Sequence, residues 1–162
     1  MQVNSVNNYQ NNNPNFTAFK PDFAARQNLI KTFRNDCNST DLLKILQTLR
    51  GQCRNSNHIE MTSIDRMGGH PVFGYFEAAI NGNKYENGNM FNTSAWNIRK
   101  FIKKLAKIAE KKNPNPLTKV EKKAVKLDNK AELYKQQARL LMGDVKESDL
   151  REELILRISQ YI

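Results

Sequence analysis

The chain has few of the residues that build metal centres and disulfide scaffolds. Its 162 residues include two Cys (Cys37 and Cys53) and two His (His58 and His70). The two cysteines do not form a close pair in the sequence. Structural zinc sites normally use at least one close pair of ligands, and a disulfide scaffold needs more cysteines. The sequence therefore predicts no metal centre and no other cofactor. Two unpaired thiols suit a reducing, cytoplasmic location.

Patterns typical of catalysis and of membrane spans are also missing. The sequence contains no Gly-rich phosphate loop, no G-x-S-x-G motif and no H-E-x-x-H motif. No apolar run approaches the roughly 18 residues that a membrane-spanning helix needs. A Cys–His nucleophile, or acid–base chemistry by Glu60, Asp65 and Glu77, is a weaker alternative, because solvent-facing strand positions explain these carboxylates equally well. We therefore expect a binding protein and not an enzyme.

Positive charge is in excess, and it is concentrated in one segment. The chain has 26 Lys and Arg against 16 Asp and Glu, which gives a formal net charge of +10. Residues 96–143 hold fourteen of the basic residues and four of the acidic ones. The net charge of this segment is therefore +10, equal to that of the whole chain. Such asymmetry favours a polyanion or an anionic surface as partner. The alternative is that these charges lie on a solvated helix surface and only keep the protein soluble.

The first 20 residues are predicted to be a disordered leader. Asn, Gln and Ser dominate the first fifteen residues, and this composition buries too little apolar surface to order a chain. Phe16, Phe19 and Phe23 are candidates for docking the leader onto the body. Its final run, NPNFTAFK, resembles leaders of small uncharacterised bacterial proteins, and this resemblance implies no function.

Residues 21–112 are predicted to form an α+β core that opens with two helices. Pro21-Asp22 suits the first turn of a helix that ends near Asp36. Ser39-Thr40-Asp41 predicts the start of a second helix, because short polar side chains satisfy free backbone N–H groups there. Gly51 ends that helix. Its apolar face consists of Leu42, Ile45, Leu46 and Leu49.

A three-stranded antiparallel meander packed by helices is expected next. Residues 58–65, 72–80 and 84–91 are the predicted strands, and Asn81-Gly82 is a strong hairpin signal because both residues tolerate positive φ. Thr93-Ser94 then caps a basic amphipathic helix that ends near Lys112. We expect its apolar stripe to pack on the sheet, with a membrane-surface role as the alternative.

Residues 113–162 are predicted to be a C-terminal antiparallel helical extension that packs on the core. Asn113-Pro114-Asn115-Pro116 must break the preceding helix, and the short link predicts that the next helix, 118–142, folds back. A last helix is expected to be capped by Ser148. Helix 118–142 has heptad spacing in which alanines alternate with Val120, Leu127, Tyr134 and Leu141.

The order helix, three strands and helix over residues 39–112 resembles the double-stranded-RNA-binding domain. Gly68-Gly69-His70-Pro71 is similar to the loop with which that family enters a minor groove. Ser94 also stands where the family begins its second helix. Ala95 and Trp96, however, replace two successive Lys of the family, so we expect Lys residues of the following turns to supply the charge.

The resemblance implies a structured RNA, or another polyanion, as the first-choice partner. It assigns minor-groove contacts to Lys44, Gln47 and His70, and phosphate contacts to Arg99, Lys100, Lys103, Lys104 and Lys107. The alternative is a protein–protein interaction module, in which Val120, Leu127, Tyr134 and Leu141 form a seam for a partner helix or for a second copy of the chain. No catalytic residue is predicted.

Overall fold

A computed structural model describes residues 18–65, 74–86 and 95–162. These residues form a mixed α+β fold with a four-stranded sheet and five helices. The strands are β1 (Phe19–Pro21), β2 (Ile59–Asp65), β3 (Gly74–Ile80) and β4 (Asn83–Glu86). The helices are α1 (Phe23–Asp36), α2 (Ser39–Gly51), α3 (Ala95–Lys111), α4 (Lys119–Leu141) and α5 (Glu147–Ile158).

The sheet has the order β1-β2-β3-β4, and β1 makes it mixed, whereas three antiparallel strands were expected. β1 runs parallel to β2, and the other neighbours are antiparallel. The Ile59 amide donates to the Ala18 carbonyl across 2.6 Å, and the Asp22 amide donates to the Met61 carbonyl across 2.8 Å. Phe19 is buried in the core. A strand of three residues is too short to show a period-two pattern, so no strand was predicted at the end of the expected leader.

In the antiparallel strands β2 and β3, buried side chains alternate with more exposed ones. β2 and β3 pair with Ile59 opposite Ile80 and Met61 opposite Ala78, and all four side chains are buried against the helices. The β3–β4 hairpin turns at Asn81 and Gly82, whose φ angles are 51° and 79°. These angles are those of a two-residue hairpin turn of the kind that Asn-Gly favours.

Two helices, α1 and α3, cover one face of this sheet. α1 packs on β2 and α3 packs on β3, while α2 packs between α3 and α5. Ion pairs show that α2 and α3 run side by side in the same direction, because Asp41 meets Arg99 near their starts and Arg54 meets Glu110 near their ends. α2 is therefore buried along most of its length, through Leu42, Leu43, Ile45, Leu46 and Leu49.

Capping residues set the helix starts, with two differences from the sequence prediction: α2 is capped by Asn38 and not within Ser39-Thr40-Asp41, and the start of α5 also differs. Asp22 and Asn38 accept hydrogen bonds from the backbone amides three residues ahead, and Thr118 forms a capping box with Glu121. Ser148 is not a cap, because α5 begins at Glu147 after Lys146. The Glu147 carboxylate instead accepts hydrogen bonds from the backbone amide and hydroxyl of Ser39, which ties α5 to the start of α2.

The C-terminal helices differ in their relation to the core. α5 is an integral part of it through Leu150, Leu154, Ile155 and Ile158. α4 lies over α2 and runs antiparallel to α5, since Glu132 is paired with Arg157 and Arg139 with Glu153. The first ten residues of α4, 119–128, are all exposed, so this half of the helix projects from the body.

Candidate nucleic-acid interface

The arginines of the described residues hold the fold together. Ion pairs within 4.0 Å join the elements to one another, and among the described residues only the Lys84–Glu77 pair uses a lysine. Arg26 and Arg151, which lie outside these pairs, donate to the backbone carbonyls of Ser159 and Arg34. The arginines in ion pairs are Arg34, Arg50, Arg54, Arg99, Arg139 and Arg157.

Two of the residues that were expected to contact RNA are engaged inside the protein. The Arg99 guanidinium is paired with Asp41, which fastens α3 to α2. The Gln47 side-chain amide donates to the Asn129 carbonyl across 3.0 Å and to the Glu132 carboxylate across 3.1 Å, which fastens α2 to α4. Both side chains are half-buried. Their placement supports a positioning role, and it gives no support to the minor-groove contact predicted for Gln47 or to the phosphate contact predicted for Arg99.

The lysines of α3 have a different environment. Lys100, Lys103, Lys104 and Lys107 are exposed, and they lie on the side of α3 opposite its buried stripe. Spacings of three and four residues place successive charges about 5–6 Å apart along one face. Lys111 and Lys112 continue the exposed row at the end of the helix. The buried stripe consists of Ile98, Phe101, Ile102, Leu105 and Ala109.

A second group of lysines lies on the projecting half of α4, and the sequence analysis did not single it out. Lys119, Lys122, Lys123 and Lys126 are exposed there. Their signal in the sequence is the same three- and four-residue spacing that marks α3. We use the name lysine face for both groups of exposed lysines together, which are Lys103, Lys104, Lys107, Lys111, Lys112, Lys119, Lys122, Lys123 and Lys126.

The acidic side chains near the lysine face are already bound. Glu110 accepts from the Arg54 guanidinium across 2.7 Å and from the Leu117 amide across 3.3 Å. Burial acts to raise the pKa of Glu110, but the charge and hydrogen bond of Arg54, with the hydrogen bonds of Leu117 and Asn113, together lower it. Glu121 is held by the Thr118 amide and hydroxyl, which lower its pKa. The positive charge of the face is therefore only weakly compensated.

The remaining predicted site residues are Lys44, His70 and the seam of α4. Lys44 is exposed on α2, and His70, with its Gly-rich loop, lies outside the described residues, as do the expected caps Thr93 and Ser94. Val120, Leu127, Tyr134 and Leu141 are exposed on α4 by 79%, 58%, 57% and 89%. The predicted seam is thus open to solvent.

The described part of the chain includes both cysteines and His58. No group of three or more potential metal ligands occurs there. Cys37 is buried, and its burial, together with Asp41 and Asp36, raises the pKa of the thiol to about 12. Because the thiolate is the nucleophile, Cys37 is unreactive near neutral pH. Burial also raises the pKa of Cys53.

Comparison with protein-family models, curated proteins and solved structures finds no match to the chain. The resemblance to the double-stranded-RNA-binding domain therefore stays a prediction. Among the described helices, none has the length and hydropathy needed to cross a membrane.

Proposed function

We propose that the chain binds structured RNA through the phosphate backbone, using the lysine face of α3 and α4. The observation that carries this proposal is the division of labour between the two basic residue types. Arginines pair with carboxylates and backbone carbonyls inside the fold, whereas the exposed lysines from Lys103 to Lys126 have no ion pair within 4.0 Å among the described residues.

Lysine suits contact with phosphates that does not depend on sequence. Its ammonium group is a compact point charge on a flexible stem, so it adapts to a phosphate backbone without fixed geometry. Each phosphate that is neutralised releases counterions, and the affinity therefore falls steeply with salt. The proposed interface reads backbone charge and shape and not base identity.

The packing of α3 favours a soluble polyanion over a membrane surface. A helix that lies on a membrane must insert its apolar stripe. The stripe of α3 is occupied by the core, since Ile98, Phe101 and Leu105 are buried. Only the charged side of the helix is available to a partner.

The test is a titration of a duplex RNA at about 50 and 200 mM salt, compared between two triple variants. The first variant changes Lys103, Lys104 and Lys107 to Gln. The control changes Lys20, Lys31 and Lys146, which are also exposed, so both variants lose the same charge. We expect the first variant to bind more weakly and to lose about 2 from the slope of log affinity against log salt. No binding at low salt, or equal weakening by the control, contradicts the proposal.

Protein–protein interaction is a second candidate function, and a separate observation favours it. All the large side chains of the α4 seam, from Val120 to Leu141, are exposed. A heptad pattern of this length is typical of a helix that pairs with another helix.

A further inference from the structure

The heptad seam of α4 faces directly away from the body. Between the four large residues of the seam lie three alanines that complete the heptad pattern: Ala124 and Ala131, which are exposed, and Ala138, which is half-buried. Contact with the body comes from the other side of the helix, where Gln136 is buried and the Asn129 carbonyl accepts from Gln47. In the heptad these two residues are diametrically opposite the seam. The fold therefore uses one side of α4 and leaves the other without a partner among the described residues.

We propose that the seam binds a second copy of this chain, with the two α4 helices antiparallel. The alternation of small and large residues favours this direction. In the antiparallel pair, each alanine meets a large residue: Ala124 faces Leu141 of the other copy, Ala131 faces Tyr134, and Ala138 faces Leu127. Every layer then has a similar volume. A parallel pair in register would stack alanine on alanine and leucine on leucine, so its layers would alternate between loose and crowded.

The charges that flank the seam select the same arrangement. On one flank, Asp128 meets Lys135 of the other copy, and by symmetry the same pair forms a second time. A parallel pair would instead bring Lys130 beside Lys135. An antiparallel pair shifted by one heptad would set Asp128 against Asp128 and Lys130 against Lys130. Like charges across a helix interface are unfavourable, so the charges specify both direction and register.

The position of the bodies is compatible with this pairing. α4 has 23 residues and is about 34 Å long at 1.5 Å per residue. Its C-terminal half lies on its own body, while residues 119–128 project into solvent. In the antiparallel pair, the projecting half of each copy lies along the supported half of the other, and the two bodies lie at opposite ends.

The helix is also ordered before it meets its partner. The capping box of Thr118 and Glu121 holds the projecting end, and the Arg50–Glu132 ion pair holds the supported half. Little further ordering is needed on association, which favours binding by a preformed surface.

Sedimentation analysis of the full chain from about 1 to 100 µM tests self-association. We expect the parent chain to be a dimer. The double substitution Leu127→Glu and Leu141→Glu should convert it to a monomer. The matched control is Leu156→Glu, which changes an exposed leucine outside the seam and should leave the dimer intact. Circular dichroism shows whether each variant is folded. A monomeric parent chain overturns the proposal and leaves a helix of a different protein as the partner of the seam. A dimer that survives the double substitution also overturns the proposal.

Charge reversal tests the direction. Asp128→Lys and Lys135→Asp should each raise the dissociation constant of the dimer about tenfold, and the double reversal should restore it. An equimolar mixture of the two single variants should form heterodimers. If the pair is parallel, Lys135→Asp removes the repulsion with Lys130 and tightens the dimer, which overturns the antiparallel arrangement. None of these measurements involves RNA, so they stand apart from the proposed RNA binding.

Discussion

The Arg50 guanidinium of α2 donates a hydrogen bond to the Glu132 carboxylate of α4 across 2.7 Å. Gln47 donates to the same carboxylate, and Arg157 of α5 lies 3.5 Å from it. Two helices, α2 and α5, therefore meet at one acidic side chain of α4. This contact fixes the rotation of α4, and the rotation decides which side of the helix faces solvent.

We expect stability to fall in acid because of Glu132. Burial acts to raise its pKa, but the hydrogen bonds and charges of Arg50, Gln47 and Arg157 outweigh it, so the pKa is lowered from its ordinary value of 4.5. A group with a lowered pKa in the folded state stabilises the protein above its unfolded pKa. That contribution is lost as the pH falls below about 4.5 and through the lowered value.

The variant that isolates this effect is Glu132→Gln. It removes charged hydrogen bonds and should reduce the free energy of unfolding by about 1–2 kcal/mol at pH 7, with a smaller loss at pH 3. Urea denaturation at both values measures this difference. Glu152→Gln is the control, because the Glu152–Arg34 pair is exposed and 3.6 Å apart, and exposed pairs contribute little. Equal losses in the two variants would contradict the role of Glu132.

A buried amide network predicts a second effect on stability. The Asn57 side chain donates to the Asn55 side chain and to the Ala109 carbonyl, both across 3.1 Å, and accepts from Asn81 across 2.9 Å. It thereby joins the hairpin turn to α3. Asn57→Ala removes three hydrogen bonds, although the Asn55 side chain keeps the Asn57 backbone amide and the Ala109 carbonyl keeps the Lys112 amide. The loss should cost about 2–3 kcal/mol.

Thermal and urea denaturation of Asn57→Ala measure this cost. Ser56→Ala, at the adjacent exposed position, should change the free energy of unfolding by less than about 0.5 kcal/mol. A comparable loss in Ser56→Ala would show that the segment and not the amide network is responsible.

Local signals in the sequence predicted the helices and the hairpin well. Asn81-Gly82 turns where expected because few other residue pairs tolerate the same backbone angles. β1 was missed because its pairing with β2 depends on residues forty positions away. The roles of Gln47 and Arg99 were missed for the same reason, since their partners Glu132 and Asp41 are brought close only by the fold. The heptad pattern of α4 identified the seam but gave no information about what covers it.

Two glycines should respond to alanine in opposite directions. Gly82 has a φ of +79°, which is strained for any residue with a Cβ. Gly51 ends α2 without a positive φ, and a Cβ there would meet nothing within 4 Å. Gly82→Ala should therefore cost about 1–2 kcal/mol, whereas Gly51→Ala should stabilise by about 0.5–1 kcal/mol.

Denaturation curves of these two variants serve as controls for each other, because both add the same methyl group. A loss of stability in both would mean that the added methyl group, and not the backbone conformation, sets the sign.

The two thiols should differ in their reaction with Ellman's reagent at about pH 8, near the ordinary thiol pKa. Cys37 is buried and its pKa is raised to about 12, so almost no thiolate forms and the reagent has no access. Cys53 is only partly buried, although burial raises its pKa as well. We expect one slow equivalent in the folded protein and two rapid equivalents in urea. Cys53→Ser should abolish the slow reaction of the folded protein, since Cys37 reacts only after unfolding. A reactive Cys37 in the folded variant would show that α1 and α2 open locally around it.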